Sequence, residues 1–318
     1  MAGSLSNRVF HGKLLLFGEH SVIEGSKALA IPYTAVSAQL VFRDENADLS
    51  AVRESSQSLR SFSSFLANGS DHQPGMPSID VNRFTRDLDA GLYFRSTIPG
   101  KYGLGSSGAV CAAVYNEYGP AIGDDSDTID HRDIQSVRIA LAAMESHFHG
   151  LSSGIDPLCI YYNKPLIAEG KNKVIVCNDR QLTNPGIQVF LIDTGTTGNT
   201  GDLVNRFRMK LIEQGLKEGF TRQYIPFVNH LVDRFINGFL TFDTLLQLSV
   251  FQLVLFTDMI PEKFLSLWQY GLDSEYYACK LCGSGGGGYI LGFTEDFENV
   301  SRSIMGRFNI NPVLLDIF

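Results

Sequence analysis

The stretch that most limits what this chain can become is Pro99-Gly-Lys-Tyr-Gly-Leu-Gly-Ser-Ser-Gly108, which runs directly into an alanine-rich segment, Ala109–Tyr118. Glycines let the backbone approach an anion closely and turn successive N–H groups toward it. A helix starting there adds partial positive charge, while Ser106 and Ser107 offer hydroxyls to a phosphate or a metal ion. A Gly/Ser turn that merely caps a helix remains the plain alternative. Gly103-Leu-Gly105-Ser-Ser-Gly108 also fits G-x-G-x-x-G, the dinucleotide-binding pattern, with acids such as Asp124 or Asp130 as ribose ligands. That pattern opens a βαβ unit, whereas here the predicted helix leads into a second helix. No G-x-x-x-x-G-K-[ST] run and no protein-kinase HRD or DFG signature occurs.

Two further runs carry chemistry. Gly12-Lys-Leu-Leu-Leu-Phe-Gly-Glu-His20 sets Lys13 on a strand and Glu19 and His20 at the turn ending it, where either could equally be an ordinary turn residue. Glu145-Ser-His-Phe-His149-Gly-Leu-Ser-Ser-Gly154-Ile-Asp156 brings one carboxylate from a helix end and another from just beyond a Ser-Gly turn. Such a pair suits Mg²⁺ binding together with general-base work on a hydroxyl. His147 and His149 invite a zinc reading but lack a third ligand. Late in the chain, Gly283-Ser-Gly-Gly-Gly-Gly288 joins two predicted strands. It holds more glycine than a hairpin needs, so close packing against another loop or a ligand is expected. The hydroxyl-rich loop Asp193–Thr200 is either a pocket lining or a helix cap.

The rest of the 318 residues reads as mixed α and β. Strands and tight turns are predicted over 8–40, and strands over 92–98, 174–177, 188–193, 278–282 and 289–293. Helices are predicted over 109–118, from near Asp130 to His147, and over 201–215, 223–237, 242–257 and 262–270. The Ser-rich segment 43–80 is expected to hold one short amphipathic helix placed as a cover. A domain boundary is expected near 180–187. Hydrophobic residues reach 44%, enough for a substantial core, and a net charge of -8 disfavours a nucleic-acid binder. Five scattered cysteines form no disulfide framework, although Cys279-Lys-Leu-Cys282 has CxxC spacing, which is read as two cysteines on a buried strand. No secretory or membrane-spanning segment is visible, so a cytoplasmic protein without a membrane partner is expected.

Taken in order, the three runs resemble the GHMP kinase family (galacto-, homoserine, mevalonate and phosphomevalonate kinases) from Lys13 to Gly288. The opening Gly12–His20 and the eleven-residue step from Glu145 to Asp156 are most similar to the mevalonate kinases. The resemblance implies a two-lobed α+β fold, with a ribosomal-S5-domain-2-like N-terminal lobe over 1–180 and a ferredoxin-like C-terminal lobe over 181–318. It implies ATP and Mg²⁺ as cofactors, a small-molecule alcohol, best matched by mevalonate, as acceptor, and a possible homodimer. Asp156 and Lys13 would be catalytic, and Ser107 and Glu145 would hold the metal. Gly103, Leu104, Gly105, Ser106, Ser107 and Gly108 would wrap the ATP phosphates, supported by Gly285, Gly286 and Gly287. Glu19, His20 and Thr200 would contact the acceptor. The chain departs from the pattern at Ser152-Ser153, where Pro-Ser is usual, at Gly108, where Ala is usual, and at Pro157, Asn163-Lys164 and Lys101.

Overall fold

The computed structural model describes residues 5–69, 74–120, 131–170, 173–177, 186–197, 200–213 and 216–316. The chain opens with strand β1 (Phe10–Phe17), buried along almost its whole length, and returns as the sixteen-residue β2 (Lys27–Phe42). Helices α1 (Leu49–Gly69) and α2 (Val81–Asp89) follow, then β3 (Leu92–Ser96). Next come α3 (Ser106–Tyr118), α4 (His131–His149) and α5 (Ile155–Tyr162), and then β4 (Leu166–Glu169) and β5 (Lys173–Val176). These strands form one sheet in the order β1-β2-β4-β5, with β3 also paired to β2, and every pairing is antiparallel.

The second half begins with β6 (Gln188–Asp193) and α6 (Thr200–Glu213). Helix α7 (Lys217–Gly219) passes through a π-helical turn into α8 (Ile225–Ile236). Helices α9 (Phe242–Leu255) and α10 (Leu265–Ser274) precede β7 (Ala278–Leu281) and β8 (Tyr289–Thr294), and α11 (Phe297–Phe308) and β9 (Val313–Leu315) end the chain. The second sheet runs β7-β8-β6-β9, again antiparallel. Antiparallel pairing throughout removes the dinucleotide-fold reading, which needs a parallel doubly wound sheet. Asp124 and Asp130 lie outside the described residues.

Helix α1 differs from expectation. It is 21 residues long and turns Val52, Leu59, Phe62 and Leu66 into the core. The same apolar spacing that suggested a short helix continues through the serines, because a serine on the solvent face does not interrupt a helix held by tertiary packing. The Ser55 hydroxyl even accepts from the β3 amide of Phe94 at 2.7 Å. Strands β4 and β9 and helices α2, α5, α7 and α11 are additional to the elements predicted. The expected boundary falls largely in 178–185, outside the described residues, and the two sheets lie on either side of it.

The halves meet through specific contacts. Lys27 on β2 gives its backbone amide to Asn229 on α8 and its ammonium to Asp233. Lys280, fully buried in β7, pairs with Glu19 and donates to the carbonyl of Leu15 at 3.0 Å. Among the described residues no helix is long and apolar enough to cross a membrane.

Candidate active site

Strand β1 lies at the edge of its sheet, and the glycine loop occupies that edge: the Lys13 amide donates to the Leu104 carbonyl at 3.0 Å. The Lys13 side chain then runs beneath Gly105. A Cβ on Gly105 would come within 2.8 Å of Ile160 Cδ1 and 3.0 Å of Lys13 Cγ, and its φ of +84° is left-handed, so only glycine serves there. Buried at 1% exposure, Lys13 Nζ reaches Asp156 Oδ2 at 2.6 Å. Burial pulls the ammonium pKa down, but the adjacent Asp156 carboxylate more than offsets this, and the net direction is up. Lys13 is therefore a firmly charged cation beside a carboxylate that is 32% exposed.

Asp156 sits in the first turn of α5, whose start is fixed by Gly154 at φ +73°. A Cβ at 154 would lie 2.5 Å from the Arg138 carbonyl, which explains the glycine. The loop before it is tied to α4 at two points. Ser152 Oγ donates to Glu145 Oε2 at 2.5 Å, and the Ser153 carbonyl accepts from Arg138 Nε at 2.8 Å. Glu145 also accepts from Ser107 Oγ at 3.1 Å. Burial first, and Asp156 second, push the Glu145 carboxyl up to about 7. A hydroxyl and a buried carboxylate crowded by another carboxylate form an oxygen donor pair suited to a hard divalent cation that completes its shell with water or phosphate. Among the described residues no cluster of three or more His, Cys, Asp or Glu forms a metal site, so the zinc reading of His147 and His149 has no support.

A cavity of about 500 Å³ opens over these groups. Lys13, Ser107, Glu145 and Asp156 all line it, as do Gly103, Gly105, Ser106, Glu19 and His20. Leu104 is buried behind the loop, and Gly108 serves packing instead: a Cβ there would press to 3.0 Å on the Pro157 nitrogen at the start of α5. From the other half, Cys282, Gly283, Ser284 and Gly285 complete the wall. Gly286 instead gives its amide to the Met259 carbonyl at 2.5 Å. The two glycine loops pack backbone on backbone. A Cβ on Gly103 would lie 2.3 Å from the Cys282 carbonyl oxygen, and one on Gly288 would lie 2.5 Å from Tyr102 Cα. This is the close packing that the excess of glycine foreshadowed.

Glu19 and His20 reach the cavity but are also held by protein. Glu19 Oε1 pairs with Lys280, while Oε2 is buried with no hydrogen-bond partner. Burial pushes the Glu19 carboxyl up, with Lys280 pulling against it. His20 adopts φ +59°, unusual for a histidine. Its ring lies between Phe207 and Phe256, with Nε2 3.2 Å from the Ser284 carbonyl, and burial lowers its pKa to about 4. Thr200 opens α6, but its side chain lies outside the described residues. The described part of the 193–200 loop braces the glycine turn rather than the cavity, with Thr194 Oγ1 donating to the Gly288 carbonyl at 2.7 Å.

Three residues of this neighbourhood were given no part in the phosphate or acceptor site by the sequence. His149 Nε2 lies 2.8 Å from Ser107 Oγ. It follows Glu145 by four positions, and residues so spaced share a helix face. Ser152, seen only as a departure from proline, holds Glu145. The one signal for Lys280 is a charge inside an apolar strand, between two cysteines whose thiols burial pushes up. Raised thiol pKa values are the reverse of a reactive CxxC pair.

Residues 79–164 match the family described as GHMP kinases N terminal domain. L. major mevalonate kinase in complex with R-mevalonate superposes with a TM-score of 0.63 over 98% of this chain and 97% of that one, at 15% identity. The chain has the GHMP kinase fold, and its residues 79–164 are similar to that family's N-terminal domain. Streptococcus pneumoniae phosphomevalonate kinase shares that fold at TM-score 0.60 and 16% identity, covering 98% of this chain and 100% of its own. Lactococcus lactis galactokinase complexed with galactose does so at 0.57 and 12%, covering 96% and 91%. No curated protein matches the sequence significantly. Within the GHMP kinase fold of this chain, the matched segment contains the glycine loop, Glu145 and Asp156, three of the parts that meet at the cavity.

Proposed function

We propose that the chain is an ATP-dependent kinase that phosphorylates a small-molecule alcohol, with mevalonate as the acceptor and 5-phosphomevalonate as the product. The observation that carries this reading is the Lys13–Asp156 ion pair, 2.6 Å long, set in a cavity rimmed by glycine loops from both halves. Asp156 would accept or orient the proton of the acceptor hydroxyl. Lys13 would orient that carboxylate and offset charge on the phosphoryl group as it moves. Gly103–Ser107 and the start of α3 would hold the nucleotide phosphates with backbone N–H groups, and Gly285 would close them from the other half. Ser107 and Glu145 would hold Mg²⁺, whose contribution is to neutralise phosphate charge. Phosphoryl transfer asks chiefly for positioning and charge stabilisation, and these groups supply both.

Mevalonate is favoured over phosphomevalonate by the cations present. The described cavity lining holds two lysines and no arginine; Lys13 is committed to Asp156, and Lys101 belongs to the phosphate loop. A second acceptor phosphate would find no further strong donor there. Glu19 Oε2, buried without a partner, is a candidate acceptor for a substrate hydroxyl proton. We further take 1–180 and 181–318 as the two lobes, and the protein as soluble and cytoplasmic. The direct test is ADP release from ATP-Mg²⁺ with mevalonate, phosphomevalonate, galactose or homoserine. Turnover with mevalonate alone supports the assignment. Turnover with another acceptor moves specificity to the flanks of Asp156, and silence on all four with ATP bound would leave a binding protein without this activity.

A further inference from the structure

Helix α4 and the loop leading to Asp156 wall a second cavity, of about 440 Å³, which shares Val22, Ile23 and Leu151–Ser153 with the first. Its polar groups are unusual. Arg138 is only 5% exposed. Its Nε donates to the Ser153 carbonyl, but Nη1 is buried with no hydrogen-bond partner. One turn earlier on the same helix, Gln135 Oε1 is also buried and unpartnered. Burial is what moves the Arg138 pKa, downward, and among the described residues no carboxylate counters it. A buried charge without a counter-ion is costly, and buried polar groups without partners are rare enough that each calls for a cause.

We propose that this cavity is an anion site in which Arg138 binds the carboxylate or phosphate group of a small molecule. The planar guanidinium presents N–H donors in a fork that fits either group, and the Gln135 amide can turn its NH₂ inward to add another. Occupancy would be communicated to the catalytic carboxylate through a short path. The same guanidinium holds the Ser153 carbonyl, one residue before the glycine that starts α5, and Ser152 beside it holds Glu145. Arg138 and Glu145 are seven positions apart on α4, on one face and roughly 10 Å along the axis. The anion could be the acid end of the acceptor or a separate metabolite. The site itself stands without the kinase reading; only the choice between these sources rests on it.

The test is thermal unfolding in rising inorganic phosphate at ionic strength held constant with chloride. Wild type is expected to gain about 3 °C or more, saturably. Ser107→Ala, which alters the glycine loop, should keep that gain, and Arg138→Met should lose it. Because Arg138→Met also removes the bond to Ser153, Gln135→Glu provides a second variant. It sets a carboxylate one turn from the guanidinium, and should raise the melting temperature without phosphate and abolish the phosphate response. A phosphate response that survives in Arg138→Met or in Gln135→Glu overturns the proposal. So does its absence from wild type, which would mean that Arg138 and Gln135 satisfy one another. In Ser107→Ala, mevalonate that shifts the phosphate midpoint about tenfold or more identifies the acceptor's acid group as the anion. Additive effects identify a separate one; both results retain the site.

Discussion

Three side chains set the charge at the centre of the cavity: Lys13, Asp156 and Glu145. Lys13 is buried and spends its ammonium on Asp156, so Lys13→Met should cut kcat by about 100-fold through lost charge stabilisation. The KM for the acceptor should move less, as measured by steady-state ADP release. Ser152 acts one step removed, by orienting the Glu145 carboxylate. Ser152→Ala is expected to raise the Mg²⁺ concentration needed for half-maximal rate by about 10-fold, with the rate at saturating Mg²⁺ changed much less. His20 gives a prediction for pH. Its folded pKa, about 4, lies below the ordinary 6.5 because it is buried. Between those values the unfolded chain binds a proton that the folded chain refuses, so stability falls as pH drops from 6.5 toward 4. Urea unfolding at pH 7 and pH 4.5 should show wild type losing about 2 kcal/mol more than His20→Gln. Equal losses would mean that the ring is not confined as described.

At the level of elements, the glycine loop and the glycine turn behave as one unit built from two distant parts of the chain. Gly103 and Gly288 each face backbone of the opposite loop at distances no Cβ can occupy, and both have φ near +70–80°. Gly103→Ala should therefore weaken nucleotide binding and lower the melting temperature together, whereas Gly100→Ala, which meets nothing, should do neither. Nucleotide titration followed by thermal unfolding checks both. How far such features could be read beforehand depends on their range. Lys13, Ser107, Glu145 and Asp156 were legible because each sits in a dense local pattern of glycine, charge and apolar run. Helix α1 was under-read because its serines masked a periodicity that packing then enforced. Strand β4 and helix α5 were missed because Ile155–Tyr162 and Leu166–Glu169 are short, nearly continuous apolar runs in which helical and strand periods look alike. Ser152 and Arg138 gain their meaning from contacts across the 150–154 loop, and His149 from its contact with Ser107, none of which a local pattern specifies.

On the scale of the molecule, the halves are joined by a buried charge pair lying directly behind the cavity. Glu19 comes from the end of β1 and Lys280 from β7, and both are almost wholly excluded from solvent. Lys280→Met leaves the Glu19 carboxylate buried and unpaired, and should destabilise the protein by about 3–5 kcal/mol in chemical unfolding. Adding Glu19→Gln should restore much of that stability. If Glu19 Oε2 also contacts the acceptor, the double variant will be stable yet raised in acceptor KM, which separates its two roles. The arrangement of the whole molecule, two antiparallel sheets with a cavity at their junction, holds Asp156 beside Lys13 and in one cavity with the two glycine loops. The measurement that tests this most directly is kcat for ATP-dependent phosphorylation of mevalonate by wild type and by folded Asp156→Asn. A fall of at least ~100-fold is predicted, the lower end for general-base catalysis; near-normal turnover in the variant would contradict the role assigned to Asp156.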